Sequence, residues 1–284
     1  MAARGTPRRF SVQRASFALG LVLVIASRYS DQADAAPPSS TLIAASLLGQ
    51  AEFGTIKGRL VWGGDDAPAP KVLQPMGKAS NNPDVCAKNA PILDQALLVD
   101  PKTKGVAYGL AYLVRPKGGN PAAVEDLVAQ HPKVVLDQKN CEFRPYVLPM
   151  HQDQILIIKT SDPLISHNVR MSPFNNTGRN QTLGPGGQLE LKLVAERRPF
   201  ELRCDIHPWM NAWVLVCDHP FFATTAADGT FEIKGVSPGS QQLLVWHKSG
   251  FVTSGQARGM SVEVKAGEAV DVGEIKLDPK KVGL

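Results

Sequence analysis

In the stretch "LRCDIHPWMNAWV", residues 202–214, a thiol, an imidazole and a thioether follow one another at three-residue intervals: Cys204, His207 and Met210. Thiolate and thioether sulfurs are soft donors, and together they favour copper. Zinc usually takes four strong nitrogen, sulfur or oxygen ligands, and methionine is a poor one. The chain has no Cys-x-x-Cys pair to complete a structural zinc site and no Cys-x-x-Cys-His for haem attachment. An electron-transfer copper centre needs two imidazoles, one thiolate and a weak axial sulfur. The quoted stretch lacks one imidazole. His167, in "SDPLISHNVRMSPF", supplies a candidate. It follows the apolar run 155–158 and a Ser161-Asp162-Pro163 turn, which puts it at a strand end. Met171, four residues further on, is a minor alternative to Met210 as the axial sulfur. Pro208 stiffens the ligand loop, and rapid one-electron transfer requires that such a site reorganise little.

Strands must bring these side chains together. "GPGGQLELKLVAE" is a tight turn followed by alternation, with Leu189, Leu191 and Leu193 on one face and Glu190 and Lys192 on the other. "PFELRC" continues this pattern, so Cys204 arrives at the end of a half-buried strand, pointing inward. "KVVLDQ", "FRPYVLPM", "QILIIKT" and "NAWVLVC" are further strands. Upstream, "GTIKGRLVWGG" puts Ile56, Gly58, Leu60 and Trp62 on one face, and "ALLVDPKTKGVAYGLAYLV" reads as two strands around a turn at Pro101–Gly105. A single helix is expected at 120–130, capped by Asn120 with Pro121 at its first position. Downstream, Asp228-Gly229 and Pro238-Gly239 mark turns between short alternating strands.

"SHNVR" and "CDIHPWM" resemble the cupredoxins, which carry an upstream His followed by Asn and a later Cys-x-x-His-x-n-Met loop. They are most similar to amicyanin, with its short loop and a Pro after the second His. The resemblance covers roughly residues 134–217. It implies a type 1 copper site with His167, Cys204, His207 and Met210 as ligands, and it implies that Asn168 ties the two ligand loops together by hydrogen bonding. Trp209 stands where amicyanin usually has Phe. Flanking domains on both sides could cover the ring edge through which electrons normally pass. Residues 218–284 look like a seven-stranded carboxypeptidase-regulatory, transthyretin-like sandwich. The whole chain is similar to exported bacterial proteins labelled methylamine utilisation or plastocyanin-like proteins. The expected fold is mainly β: a cupredoxin-like Greek-key sandwich at 134–217 and a transthyretin/carboxypeptidase-regulatory-like β-sandwich at 218–284. An N-terminal β region with one short helix is expected at 53–133.

The 284 residues open on a basic segment (Arg4, Arg8, Arg9, Arg14), a short apolar run at 15–26 and a small-x-small site at 33–35. This reads as an export signal, residues 1–35, followed by a linker at 36–52. A second apolar run, 41–51, also allows a cut after Ala51. Residues 1–35 hold five of the 31 basic and two of the 26 acidic residues, so the remainder carries a net charge of +2 rather than +5. The basicity belongs largely to the leader and does not suggest nucleic-acid binding. No later segment reads as a membrane helix, and a periplasmic or secreted product is expected. Export permits disulfides. With Cys204 set aside as a ligand, three thiols remain and only one pair can form. Cys86–Cys141 is favoured, leaving Cys217 as a buried free thiol.

His219 and His247 read as strand-end histidines satisfied by backbone; His131 and His151, in polar loops, have no assigned role. Trp209 and Trp213 read as packing beside the ligand loop, although an exposed Trp209 could dock a partner. Two functions fit. The first is one-electron transfer through copper to or from a redox protein, without substrate turnover by this chain. The second is a non-redox envelope or binding protein in which copper is structural, sensed or absent. A red or green copper centre with some catalysis is a third possibility.

Overall fold

A computed structural model describes residues 53–283. The expected leader, both cleavage positions and the linker at 36–52 lie outside the described residues. The first strands are β1 (Gly54–Trp62), β2 (Val72–Gln74), β3 (Ile92–Leu93) and β4 (Leu110–Leu113), and the helix α1 (Pro121–Gln130) follows. A central run comprises β5 (Lys133–Lys139), β6 (Glu142–Arg144), β7 (Val147–His151), β8 (Ile155–Thr160), β9 (His167–Met171), β10 (Arg179–Leu183), β11 (Gln188–Lys192), β12 (Phe200–Arg203) and β13 (Asn211–Cys217). The last strands are β14 (Phe222–Thr224), β15 (Thr230–Val236), β16 (Gly239–His247), β17 (Gly250–Phe251), β18 (Met260–Val264) and β19 (Ala269–Leu277).

The architecture is mainly β, as the sequence predicts. Among the described residues, strands β5 to β13 pair only with one another, in two sheets ordered β6-β5-β8-β11 and β7-β13-β12-β9-β10. Their inward residues share one core that includes Phe143, Leu156, Ile158, Phe200, Leu202 and Val214. Polar residues fill the alternate positions of β11, where Leu191 is buried while Glu190 and Lys192 are exposed. That is the pattern of a sheet with one wet face.

The remaining strands form a second sandwich, and here the expected division of the chain needs correcting. Residues 53–133 were expected to stand apart from 218–284. Instead β1 lies between β15 and β19 in one sheet, and β4 lies between β14 and β16 in the other. The six late strands do not make the expected seven-stranded sandwich by themselves; with β1 and β4 they form one of eight strands. The reason is register at long sequence separation: Gly58 pairs with Phe231, and Leu60 with Ile275. Nothing local to residues 53–62 encodes such partners. The two strands expected around Pro101–Gly105 also reduce to one. Asp100 caps the turn by accepting from the N–H groups of Lys102 (3.0 Å) and Thr103 (2.6 Å), and before β4 this segment makes only the isolated bridges Val61–Gly105 and Val99–Val106. Helix α1 begins as expected: Asn120 Oδ1 accepts from Ala123 N at 3.1 Å, and Pro121 occupies the first position.

Three strands are buried on both faces, and they weld the two sandwiches together. In β13, Ala212, Val214 and Val216 enter the first core. Leu215 and Cys217 enter a separate apolar layer with Leu110, Tyr112, Leu244 and Trp246. In β4 and β16 the alternate residues Ala111, Leu113, Leu243 and Val245 enter the second core. Trp213 meets Trp246 across this layer with ring centroids 5.0 Å apart. Strands covered on both sides lose the need for alternation, which is why "LAYL" and "NAWVLVC" read as continuous apolar runs.

Leu215 is therefore expected to behave as a core residue although it points out of its own sandwich. Leu215→Ala should cost about 2–5 kcal/mol in denaturant unfolding. A loss within about 0.5 kcal/mol, the value for an exposed position, would show that the layer does not hold in solution.

Candidate metal centre

The ligand loop is set by β9 and β12, which lie side by side and antiparallel, with Arg203 opposite Arg170. Cys204, one residue past the end of β12, therefore sits beside the start of β9, where His167 and Asn168 begin the strand. The loop then closes tightly. Cys204 N donates to Met210 O (3.1 Å), Met210 N to His207 O (2.9 Å), and His207 N to Cys204 Sγ (3.4 Å). Asn168 makes the tie expected of it: its Oδ1 accepts from Asp205 N, its Nδ2 donates to Asp205 Oδ2 (3.1 Å), and its own N–H points at Cys204 Sγ (3.5 Å).

This brings three of the four expected donors to one point. The Nδ1 atoms of His167 and His207 are 3.0 Å apart, and Cys204 Sγ lies 4.0 and 3.8 Å from them. All three side chains are buried. A triangle with sides of 3.0, 3.8 and 4.0 Å has a centre about 2.1 Å from each corner. Imidazole and thiolate bonds to a first-row metal ion span roughly 2.0–2.3 Å. Met210 closes the loop and is buried in the same core cluster as Cys204. Met171 is buried there too, but it ends the strand that His167 begins. Four residues of strand separate the two by about 13 Å, which removes Met171 as an alternative axial sulfur.

The outer nitrogens decide what the inner ones can do. His167 Nε2 lies 2.9 Å from Asp162 Oδ2, and His207 Nε2 lies 3.0 Å from Asn82 Oδ1. Both partner atoms only accept, so each imidazole carries its proton on Nε2. Each Nδ1 is left with a bare lone pair, and the two lone pairs face each other across 3.0 Å beside a thiol. Nothing but a shared proton or a cation relieves that repulsion. Asp162 is itself held by the N–H groups of Asn140 (2.7 Å) and Cys141 (2.9 Å). Burial pushes the Asp162 carboxyl up, but its bond to His167 and these N–H groups outweigh burial and hold it below the usual range. Burial likewise opposes charge on His167, and Asp162 and Cys204 outweigh it to raise the imidazolium pKa. Burial also pushes the Cys204 thiol up. A proton shared at the facing Nδ1 atoms of His167 and His207, with the Asn168 and His207 N–H groups, brings it down to about 6.

Sequence reasoning missed Asp162 and Asn82. Along the chain Asp162 reads only as part of a turn; a buried acceptor five residues before a ligand histidine was the available signal. Asn82 left none, since its contact with His207 spans 125 residues of chain. The favoured disulfide, Cys86–Cys141, is present, and Cys217 is a buried free thiol. Trp209 is half-buried, 5.2 Å from the His207 ring, and its Nε1 donates to Cys141 O (3.0 Å). The other histidines stay outside the site. His247 is bound to Ala96 O (2.7 Å) and pushed down to about 4, chiefly by burial; His219 accepts from Phe221 N (3.2 Å). His151 ends β7, buried, rather than lying in a polar loop. Among the described residues, every group of metal-capable His, Cys, Asp or Glu side chains includes His167 or His207.

The metal-free protein should show one thiolate titrating near pH 6 by absorbance near 240 nm. The thiolate disappears as pH falls through that value. Cys217, pushed far up by burial, should stay protonated, so Cys204→Ser should remove the step entirely. A midpoint near the ordinary thiol value of about 8.5 would contradict this reading of the site.

No family model matches the chain, and no curated protein matches it. Solved structures match parts of it. A copper-containing nitrite reductase from Thermus scotoductus SA-01 is 17% identical over 30% of this chain and 22% of its own, with a TM-score of 0.28. A point mutant of amicyanin in its reduced Cu(I) form at pH 4 is 16% identical over 30% of this chain and 82% of its own, with a TM-score of 0.27. A purple cupredoxin from Nitrosopumilus maritimus is 19% identical over 30% and 98%, with a TM-score of 0.25. The chain thus spans about a fifth of the nitrite reductase, and each of these matches covers under a third of this chain.

Proposed function

We propose that this chain is an exported copper protein that passes single electrons through a type 1 centre held by His167, Cys204 and His207, with Met210 as the weak axial donor. The observation that carries the proposal is the donor triangle. Two imidazole nitrogens, freed for coordination by Asp162 and Asn82, share a buried point with a thiol whose ionisation is eased. Two imidazoles and one thiolate, with a methionine on the same loop, would suit copper better than zinc, which would want a fourth strong ligand. Bound there, copper would supply one-electron exchange between Cu(I) and Cu(II).

The chain's own groups do the rest. Asp162 and Asn82 orient the imidazoles and fix their tautomers, as outer hydrogen bonds do at metal-bound histidines. Asn168 and the N–H of His207 point hydrogen bonds at the Cys204 sulfur and hold the loop against rearrangement. The apolar core around Met210 keeps water out. Export is supported by the leader-like N-terminus and by the disulfide, which suits an oxidising compartment. No helix among the described residues is long and apolar enough to cross a membrane. We assign the chain a redox protein as partner, no nucleic acid and no substrate turnover of its own.

One observation favours the second reading, an envelope protein with a structural copper. His207 has no exposed edge, so a partner cannot touch the imidazole directly. Spectroscopy separates the readings from an empty site. Titrating the purified chain with Cu(II) should give an intense visible thiolate-to-copper band and a narrow copper hyperfine splitting, both lost in Cys204→Ser. A colourless copper-loaded protein in oxidant would end the type 1 proposal. Reversible bleaching and recovery with a one-electron reductant and oxidant would favour transfer over a structural role.

A further inference from the structure

His207 is buried by a segment outside its own sandwich. Residues 75–91, the loop joining β2 to β3, cross over the ligand loop. Asn82 Oδ1 accepts from His207 Nε2 (3.0 Å), and Asn81 Nδ2 donates to Ile206 O (2.6 Å). Ala79, Cys86 and Ala87 are buried in the core that contains Cys204 and Met210. The strap has little regular structure: Asn82 and Ala87 have φ of 49° and 52°. One covalent bond fastens it to the first sandwich, between Cys86 and Cys141 at the β5–β6 turn.

That disulfide is wired to both imidazoles. Cys86 N–H donates to Asn82 O (2.8 Å), and Asn82 orients His207. Cys141 N–H donates to Asp162 Oδ2 (2.9 Å), and the same oxygen orients His167. Both sulfurs lie within 4.8 Å of a His207 ring nitrogen, and the Cys141 sulfur also lies within 4.8 Å of a ring nitrogen of His167. The two half-cystines therefore each hold the residue that sets one histidine tautomer. Since the donors are sealed, an ion needs a path in, and the strap is a part of this wall that one covalent bond and two hydrogen bonds to the ligand loop and its histidine hold in place.

We propose that residues 75–91 are a disulfide-latched cover whose closure both seats His207 and seals the donor triangle, so that Cys204 becomes accessible to an ion or a small thiol reagent when the latch is open. Insofar as the ion is copper, this rests on the reading above; the cover itself does not. Metal loading then precedes latching. Latching joins the two sulfurs, and a protein disulfide of the exporting compartment takes up the two electrons and two protons to become a dithiol. Asn82 is a positioning residue in this scheme, acting through His207 rather than on the metal.

The test compares metal-free wild type with its disulfide intact, the Cys86→Ser/Cys141→Ser double variant, and Asn82→Gly. Glycine removes the amide without straining the positive φ. Iodoacetamide modification of Cys204 is followed by peptide mass at one pH, with circular dichroism to confirm the fold. The double variant should react about 10-fold faster or more, because local opening no longer has to break the latch. Asn82→Gly should show a smaller rise with its disulfide intact. Equal rates in all three forms would overturn the cover. Should the double variant fail to fold, the Asn82→Gly result decides alone: an unchanged rate overturns the cover. Cu(II) uptake by the same proteins separates the two claims. No thiolate-to-copper band in any form, with alkylation still following the latch, defeats copper and keeps the cover. An equally fast band in all forms, with equal alkylation, defeats the cover and keeps copper.

Discussion

Two lone pairs that face each other in a dry interior must share something positive. This constraint organises the centre. His167 and His207 could each have turned a proton inward, but Asp162 and Asn82 hold both protons on the outer nitrogens. The inner nitrogens, 3.0 Å apart, are left as acceptors beside Cys204. Leaving such groups unpaired would cost several kcal/mol, so the surrounding structure has to hold them in place. It does so with a β-sandwich whose ligand loop is tied by Asn168, and with a disulfide that holds both orienting residues. The metal-ligand types on the loop and the acceptors behind them form one design: the first set would bind a cation, and the second makes the absence of one unfavourable.

What the sequence shows and what it hides divide along sequence separation. Cys204 and His207 were legible because one loop carries them, with Met210, at fixed spacing. His167 was legible because an apolar run and a turn place it at a strand end. Asn168 followed from the cupredoxin resemblance. Asp162 was visible but explained away, since Ser-Asp-Pro is as good a turn as it is a source of a buried carboxylate. Asn82 could not be found, because a loop residue gains its meaning from a fold that brings residue 207 against it. The second sandwich failed for the same reason. The runs at 110–113 and 211–217 announce burial on both faces, yet a continuous apolar run does not say which strands supply the second cover.

The shared apolar layer also changes what a β-sandwich surface means here. On an isolated sandwich the outward residues of β13 would meet water and be free to vary. Here Leu215 and Cys217 are as confined as residues of the inner core, and the thiol of Cys217 is kept protonated and inert by that confinement. The molecule thus holds two unlike buried thiols on neighbouring strands: one stabilised as an anion by hydrogen bonds, the other denied charge by an apolar wall.

The first sandwich is an excursion from the second. The chain leaves β4, builds β5 to β13, and returns to β14 directly beside its point of departure, with Leu113 N donating to Phe221 O at 3.1 Å. Two adjacent connections and a common apolar layer leave no single swivel between the halves. A protein that grips the β15-β1-β19 sheet would thereby hold the donor triangle at a fixed range and bearing.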